Sequence, residues 1–423
     1  MLALTKPKPK PHPLRDPVGQ IWDKGLELKE KKEPQIQAED QVKIEVLAGG
    51  ICGTDLSIYH SKDSVKKEMA HASVDPITIG HEFCGRIYQA GNSALEDLAK
   101  IVSQKDWVTE AEKKNFGLVN GKVSEWLRHG GNQKNKFLKF LHQNFLVSAE
   151  MHLTCNHCKQ CLTGQKHACP YTRIKGIHQD GAFASFLTVP ISNLVVFKKE
   201  ELPVEIIAFM DALGNAVHSV SEADVLGNNV AILGCGVQGL MATAVARVSG
   251  AAKIFVTGSS NPLVKESQKR LNKKFSLAKK LGADFCFDVG LKSERQKFIQ
   301  QVKKETKGAG VDSVLEMSGN YRAYQDALDV VRNGGKLVLL GLPEGEIKID
   351  FSTQIIFRGI TIKGIIGRKV FSSWETMTAL LKSGLAKKLL DLGFVSHQFD
   401  LKNYERGFKL MQSGEAIKVL LRP

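Results

Sequence analysis

The segment CNHCKQCLTGQKHAC sets Cys155, Cys158, Cys161 and Cys169 in a C-x2-C-x2-C-x7-C pattern. Two-residue gaps let neighbouring thiolates face one centre. The seven-residue gap lets the chain return and close a tetrahedron. Four thiolates with no open position describe a structural zinc site. A redox pair needs only two of them, and eight cysteines in 423 residues are too few for a disulfide framework. His157 and His167 lie inside the cluster and read as exposed loop residues, not ligands.

A second constellation stands upstream, in GGICGTDLSIYH (49–60) and ITIGHEFCGRI (77–87). Cys52, His81 and Glu82 supply a thiolate, an imidazole and a carboxylate. Three protein ligands leave a position for water or substrate, as catalytic zinc requires. Gly-His-Glu alone is a weak signal; beside the four-cysteine loop it becomes a strong one. Cys84 reads as a small core residue.

These groups need elements to hold them and a redox partner to serve. The stretch NNVAILGCGVQGLMATAVARVSGA (228–251) reads as strand, turn and helix, with G-x-G-x-x-G at Gly234, Gly236 and Gly239 enclosing Val237 and Gln238. That is the context of a dinucleotide-binding fingerprint. Further strand signals at AKIFVTG, VDSVLEMSG and GKLVLLGLP alternate with helical segments and predict a doubly wound parallel sheet. Where a carboxylate would hold an NAD ribose, the chain has Gly258, Ser259 and Ser260. Residues 263–280 beyond carry seven Lys or Arg and one Glu and read as the solvated face of an amphipathic helix; the missing carboxylate tilts the expected nicotinamide cofactor, NADP or NAD, toward NADP.

The bulk numbers agree with a two-domain globular chain: 423 residues, 43% hydrophobic and 24% charged. The N-terminal MLALTKPKPKPHPLRDP has no apolar run behind its charges, and the apolar stretch near 230–248 is broken by glycines. A cytoplasmic protein without membrane contact is expected. Net charge is +15, but the lysines are dispersed without interleaved aromatics, which argues against a nucleic-acid partner. A zinc-ribbon nucleic-acid binder and a catalytically silent nucleotide sensor are the rival classes; the open second metal constellation and the fingerprint count against the first, and intact Cys52, His81, Glu82 and Thr54 against the second.

Taken together, GGICGTDL, GHEFCG, MHLTCNHCKQC, DALGNAVHS, KGIIGRKVFSSWETM and LMQSGEAIKVLL resemble the zinc-dependent medium-chain dehydrogenases of the alcohol dehydrogenase superfamily. Within it, the chain is most similar to the L-threonine 3-dehydrogenase family. The resemblance implies an α/β protein: a GroES-like β-rich catalytic domain from residues 1–204 and 367–423, and a Rossmann domain over 205–366. The catalytic part would carry a structural zinc lobe at 152–170 and an insertion at about 96–145. The implied catalytic zinc ligands are Cys52, His81 and Glu82, with Asp211 able to replace water on the metal. Thr54 would relay the substrate proton, Lys418 would lie near the cofactor pyrophosphate, Arg368 near the interdomain cleft, and His152 at the edge of the substrate pocket. The implied reaction passes hydride between a secondary alcohol, threonine-like or a polyol, and the cofactor. Two zinc ions per chain and a homodimer or homotetramer are expected.

Three departures stand out. Ser57 replaces the histidine that ends the family's proton relay, and His60 is three residues further on. About 40 residues replace the turn before the zinc lobe, ending in the amphipathic FLKFLHQNFL, which reads as surface packing or an oligomer contact. A second insertion follows TGSSN.

Overall fold

The computed structural model describes residues 1–9, 22–118 and 132–423. Part of the N-terminal proline–lysine stretch and residues 119–131 of the expected insertion lie outside them.

Two sheets organise the chain. The first has seven strands, in the order Leu194–Lys198, Phe145–Ala149, Phe83–Ala90, Gln41–Gly50, Lys418–Arg422 and Val395–Asp400, with Phe186–Pro190 also paired to Gln41–Gly50. Its spine, QVKIEVLAGG, buries Val42, Ile44, Val46 and Ala48 at alternate positions, the period of a strand. The register Leu420↔Gly50 and Leu421↔Gly49 joins the C-terminal strand to this N-terminal one, so both chain ends build one sheet.

The second sheet has six parallel strands: Phe285–Asp288, Lys253–Gly258, Asn229–Leu233, Val311–Glu316, Val331–Leu339 and Thr361–Gly364 in spatial order. Read by sequence this is 3-2-1-4-5-6, the doubly wound order that leaves a crevice at the strand carboxyl ends. Helix Ser372–Leu380 packs on helix Met210–Glu222 across the junction of the two halves. Among the described residues, no helix is long and apolar enough to cross a membrane.

The stretch expected as surface packing forms a core layer. Helices Asn92–Ser103 and Asn132–Asn144 bury Leu95, Leu98, Val102, Phe137 and Leu141 in one cluster with Ile44, Ile87 and Val147 of the first sheet. The second helix keeps Lys136 and Lys139 outward. Its amphipathic pattern was legible; that the apolar stripe closes over a sheet face of its own chain was not.

Candidate active site and zinc centres

Among the described residues, two groups of side chains converge as metal ligands could: Cys155, Cys158, Cys161 and Cys169, and Cys52, His81 and Glu82, each set with its ligand atoms within 4.8 Å of one another. In the first group the Sγ–Sγ separations include 3.6 Å (Cys155–Cys169), 3.8 Å (Cys158–Cys169) and 3.9 Å (Cys155–Cys161). A zinc tetrahedron with Zn–S of about 2.3 Å has edges of about 3.8 Å, so the thiols fit that ion. They are free thiols, as all eight cysteines are. Cys158 N donates to Cys155 Sγ at 3.3 Å, a backbone contact that orients a sulfur ligand.

The lobe's histidines differ from each other. His157 is exposed, as expected. His167 is not: it is half-buried, its ring edge-on to His218 at 5.2 Å between centroids. His218 in turn meets Gly367 O at 2.9 Å through Nδ1, which ties the lobe to the segment that carries Arg368.

The second group is assembled by local geometry. Helix Gly53–Tyr59 begins at Cys52, and Asp55 at its third position accepts from Cys52 N at 2.8 Å. The other Asp55 oxygen stands 3.7 Å from His81 Nδ1. Burial lowers the His81 pKa, but the Asp55 carboxylate and the Cys52 thiol outweigh it and lift it to about 10. Glu82 is fully buried, and burial raises its carboxyl despite Lys418. The Lys418 ammonium lies 2.5 Å from Glu82 Oε2 and donates to Ile51 O at 2.9 Å. Gly50 passes so close that a Cβ there would stand 2.2 Å from Glu82 Oε2. His81 Nδ1, both Glu82 oxygens, Asp55 Oδ1 and Asp211 Oδ1 are buried without a well-directed hydrogen bond. A bound cation would satisfy these buried polar atoms, and the donor set suits zinc.

Asp211 stands outside the 4.8 Å group; its Oδ2 receives Arg368 Nη1 at 2.8 Å. Arg368 is buried and also donates to both oxygens of Glu150, at 2.9 and 2.5 Å, and approaches His152 Nδ1 at 2.7 Å. Trp374 Nε1 adds a bond to Glu150 at 2.9 Å. Burial would raise the Glu150 carboxyl, but Arg368 and His152 hold it well below the usual carboxylate range. Glu150, Trp374 and Asp55 were missed from sequence; only Asp55 left a local signal, three residues after Cys52. Thr54 is half-buried in the first turn of its helix, and its hydroxyl has no hydrogen bond among the described residues. Ser57 Oγ donates back to Gly53 O at 3.1 Å. His60 Nε2 meets Gln412 Nε2 at 2.9 Å.

The glycine turn has the shape its spacing implied. Gly234 takes φ +116°, a Cβ on Gly239 would fall 1.7 Å from Gly234 O, and a Cβ on Gly236 would meet nothing within 4 Å. The middle position is therefore open to a phosphate at the start of helix Val237–Val248. Gln238 Nε2 donates to Ala212 O at 3.2 Å and pins that helix to the junction. A small cavity lined by Gly234, Gly258, Ser259, Ser318, Asn320 and Arg322 opens beside the turn. Ser260 faces away from it: its N and Oγ bind Asp288 at 2.9 and 2.5 Å. Gly258 is not an empty ribose position. A Cβ there would meet Leu271 Cδ1 at 2.5 Å and Cys235 Cβ and Phe275 Cε1 at 3.2 Å.

Known proteins match this arrangement along its length. Residues 238–383 match the family described as zinc-binding dehydrogenase, and residues 38–112 the alcohol dehydrogenase GroES-like domain. An L-threonine 3-dehydrogenase of Caldanaerobacter subterraneus subsp. tengcongensis is 35% identical over 407 residues, covering 96% of this chain and 98% of its own. One from Bacillus velezensis is 34% identical over 402 residues, covering 94% and 96%. The solved alcohol dehydrogenase TADH from Thermus sp. ATN1 superposes with a TM-score of 0.71 at 25% identity, over 100% of this chain and 99% of that one. The chain belongs to the zinc-dependent medium-chain alcohol dehydrogenase superfamily and is a nicotinamide-dependent alcohol oxidoreductase.

Proposed function

We propose that the chain oxidises the secondary alcohol of a threonine-like amino alcohol at the Cys52–His81–Glu82 site. The observation that carries this reading is the convergence of the ligand atoms of those three side chains within 4.8 Å of one another, with Lys418 as the close cation beside Glu82. The relatives named L-threonine 3-dehydrogenase give the substrate class. The rival within the same chemistry is a diol or sugar alcohol.

Zinc and a nicotinamide would supply polarisation of the substrate hydroxyl and the hydride acceptor. The chain's own residues do the rest. Cys52, His81 and Glu82 hold the metal, and Asp211 is poised to add its free oxygen. Asp55 fixes the position of Cys52 and faces His81. Thr54, with an uncommitted hydroxyl, takes up the substrate proton. Ser57 has no group that titrates near neutral pH, so solvent receives the proton at the helix surface. Lys418 balances the Glu82 charge, and Arg368 orients Asp211 from behind. His152 borders the substrate pocket. Cys155, Cys158, Cys161 and Cys169 hold a second, structural zinc.

Gly234, Gly236, Val237, Gln238, Gly239, Gly258 and Ser259 form the cofactor cradle, with NADP favoured over NAD. Residues 205–366 act as the dinucleotide half and 1–204 with 367–423 as the catalytic half. A homodimer or homotetramer is supported by the edge strand Thr361–Gly364, all of it exposed, beside exposed Phe357 and Ile366. Eight free cysteines support a cytoplasmic location. The test is a panel of L-threonine, 2,3-butanediol and sugar alcohols assayed with each cofactor, alongside zinc analysis. Turnover confined to diols or sugar alcohols would overturn the threonine reading.

A further inference from the structure

A groove of about 650 Å3 opens where the insertion faces helix Ser372–Leu380. That helix packs on Met210–Glu222, which carries Asp211. Ile101 of helix Asn92–Ser103, Val195 and Phe197 of strand Leu194–Lys198, and Phe371 give the groove an apolar lining. It shares no residue with the zinc ligands or the glycine turn. A concave site of this size, apolar with a few charged groups, is the usual form of a small-molecule pocket.

Its charged lining is Asp97, Lys100, Lys105, Glu201, Glu375 and Lys382, three of each sign. Four of these cancel in pairs: Lys100 with Asp97 at 2.8 Å, and Lys382 with Glu201 at 2.8 Å. Lys105 and Glu375 remain. Neither side chain has a hydrogen bond or ion pair among the described residues. Lys105 is half-buried and belongs to the insertion; Glu375 is exposed and belongs to helix Ser372–Leu380. The groove thus offers one free cation, one free carboxylate and an apolar surface. Its complement is a molecule with one carboxylate, one ammonium and an apolar body. Trp374 also lines the groove, and its ring is buried. Its Nε1 donates to Glu150 at 2.9 Å, Glu150 holds Arg368, and Arg368 holds Asp211. A ligand seated against this indole meets the outer end of the network that reaches Asp211.

We propose that the groove binds a free α-amino acid with an apolar side chain, its carboxylate on Lys105 and its ammonium on Glu375. Occupancy acts on alcohol oxidation through Trp374. A ligand shifts a distant site only through contacts that differ between two states, and Trp374 is the contact that joins this groove to the active site. Lys105 and Glu375 are replaceable, since neither stands in a packed core nor touches the metal or cofactor sites.

The experiment is calorimetric titration of the full, zinc-loaded chain with L-leucine, for the parent, Lys105→Gln, Glu375→Gln and the double variant Lys105→Glu with Glu375→Lys. Leucinamide, which lacks the carboxylate, and 4-methylpentanoate, which lacks the ammonium, are the comparison probes. The parent should bind L-leucine at one site per chain. Each single variant, and each comparison probe, should weaken binding about tenfold, the worth of one charge-assisted hydrogen bond. The double variant should restore part of the loss. On one good alcohol substrate, saturating L-leucine should shift the parent's KM by about fivefold, the low end of a coupling between two sites, and leave that of Lys105→Gln unchanged. A parent that does not bind L-leucine refutes the site. Binding that both single variants keep also refutes it. A KM shift that persists in Lys105→Gln would place L-leucine in the alcohol pocket and refute it as well. Binding lost in the variants, but without any KM shift in the parent, refutes the link through Trp374.

Discussion

Arg368 and Glu150, 218 residues apart in sequence, form a two-point salt bridge: Nε to Oε2 at 2.9 Å and Nη2 to Oε1 at 2.5 Å. Both side chains are buried, at 2% and 0% exposure. Two charges removed from water depend on each other and on extra hydrogen bonds. Here Trp374 Nε1 and His152 N complete the Glu150 shell, and Asp211 completes that of Arg368. The network thus runs from Glu150 and His152, at the edge of the four-cysteine lobe, to Asp211, whose other oxygen is buried without a hydrogen-bond partner among the described residues.

Removing one member should leave a buried charge uncompensated. Glu150→Ala is expected to destabilise the fold by about 3–5 kcal/mol, measured by urea unfolding. Arg368→Lys keeps the charge but not the fork that binds Glu150 and Asp211 together, so it should lower kcat with a smaller loss of stability. A Glu150→Ala loss below about 1 kcal/mol would mean that water replaces the carboxylate.

Two zincs per chain are expected, with different consequences on removal. Cys155→Ser should lose one zinc and fold poorly, because thiolate ligation supplies folding free energy. Cys52→Ser should lose the other, keep its melting temperature near that of the parent and lose activity. Metal analysis of both purified variants decides it; retention of two zincs by either would overturn the corresponding ligand assignment.

How much of this was legible in sequence follows from how local each signal is. The four cysteines lie within fifteen positions, and their spacing alone implies a common centre. The glycine turn is equally local, and its three glycines meet three separate demands of backbone geometry. The Glu150–Arg368 pair carries no such trace: a glutamate in VSAEMHL reads as any strand residue until the fold brings Arg368 to it. Gly258 is the subtler failure. Its lack of a carboxylate was visible, but not that Leu271 and Phe275 close the space a new side chain would need. Gly258→Asp is therefore a poor probe of cofactor choice.

Lys175 gives a test by pH. It is 6% exposed, has no hydrogen-bond acceptor among the described residues, and burial lowers its pKa from 10.5 to about 8 despite Asp180. Below pH 8 both native and unfolded chains carry the proton, and the full cost of burying the charge is present. Between about pH 8 and 10.5 the unfolded chain binds more protons than the native one, so stability rises with pH. Above 10.5 the cost is gone. Lys175→Met should raise stability at pH 7 by up to roughly 3 kcal/mol and flatten the rise between pH 8 and 10.5. Comparison with the parent cancels Lys6, whose pKa burial also lowers to about 8. Parallel stability curves for variant and parent would show that the ammonium is solvated.

Ser57 gives a test of the proton path. Its hydroxyl is turned back onto Gly53 O at 3.1 Å, and the nearest histidine in sequence, His60, has its Nε2 against the Gln412 amide at 2.9 Å. Neither is arranged as a free base beside Thr54. Alcohol oxidation should accordingly be slow at neutral pH and climb on the alkaline side, where solvent accepts a proton more readily. A positioned general base contributes about 10²–10⁴-fold, so Ser57→His should raise kcat near neutral pH and introduce a limb near the ordinary histidine pKa of about 6.5. The pH–rate profiles of parent and Ser57→His on one good substrate decide it. A parent profile that already shows that limb, and loses it in His60→Ala, would transfer the role to His60 and overturn the solvent path.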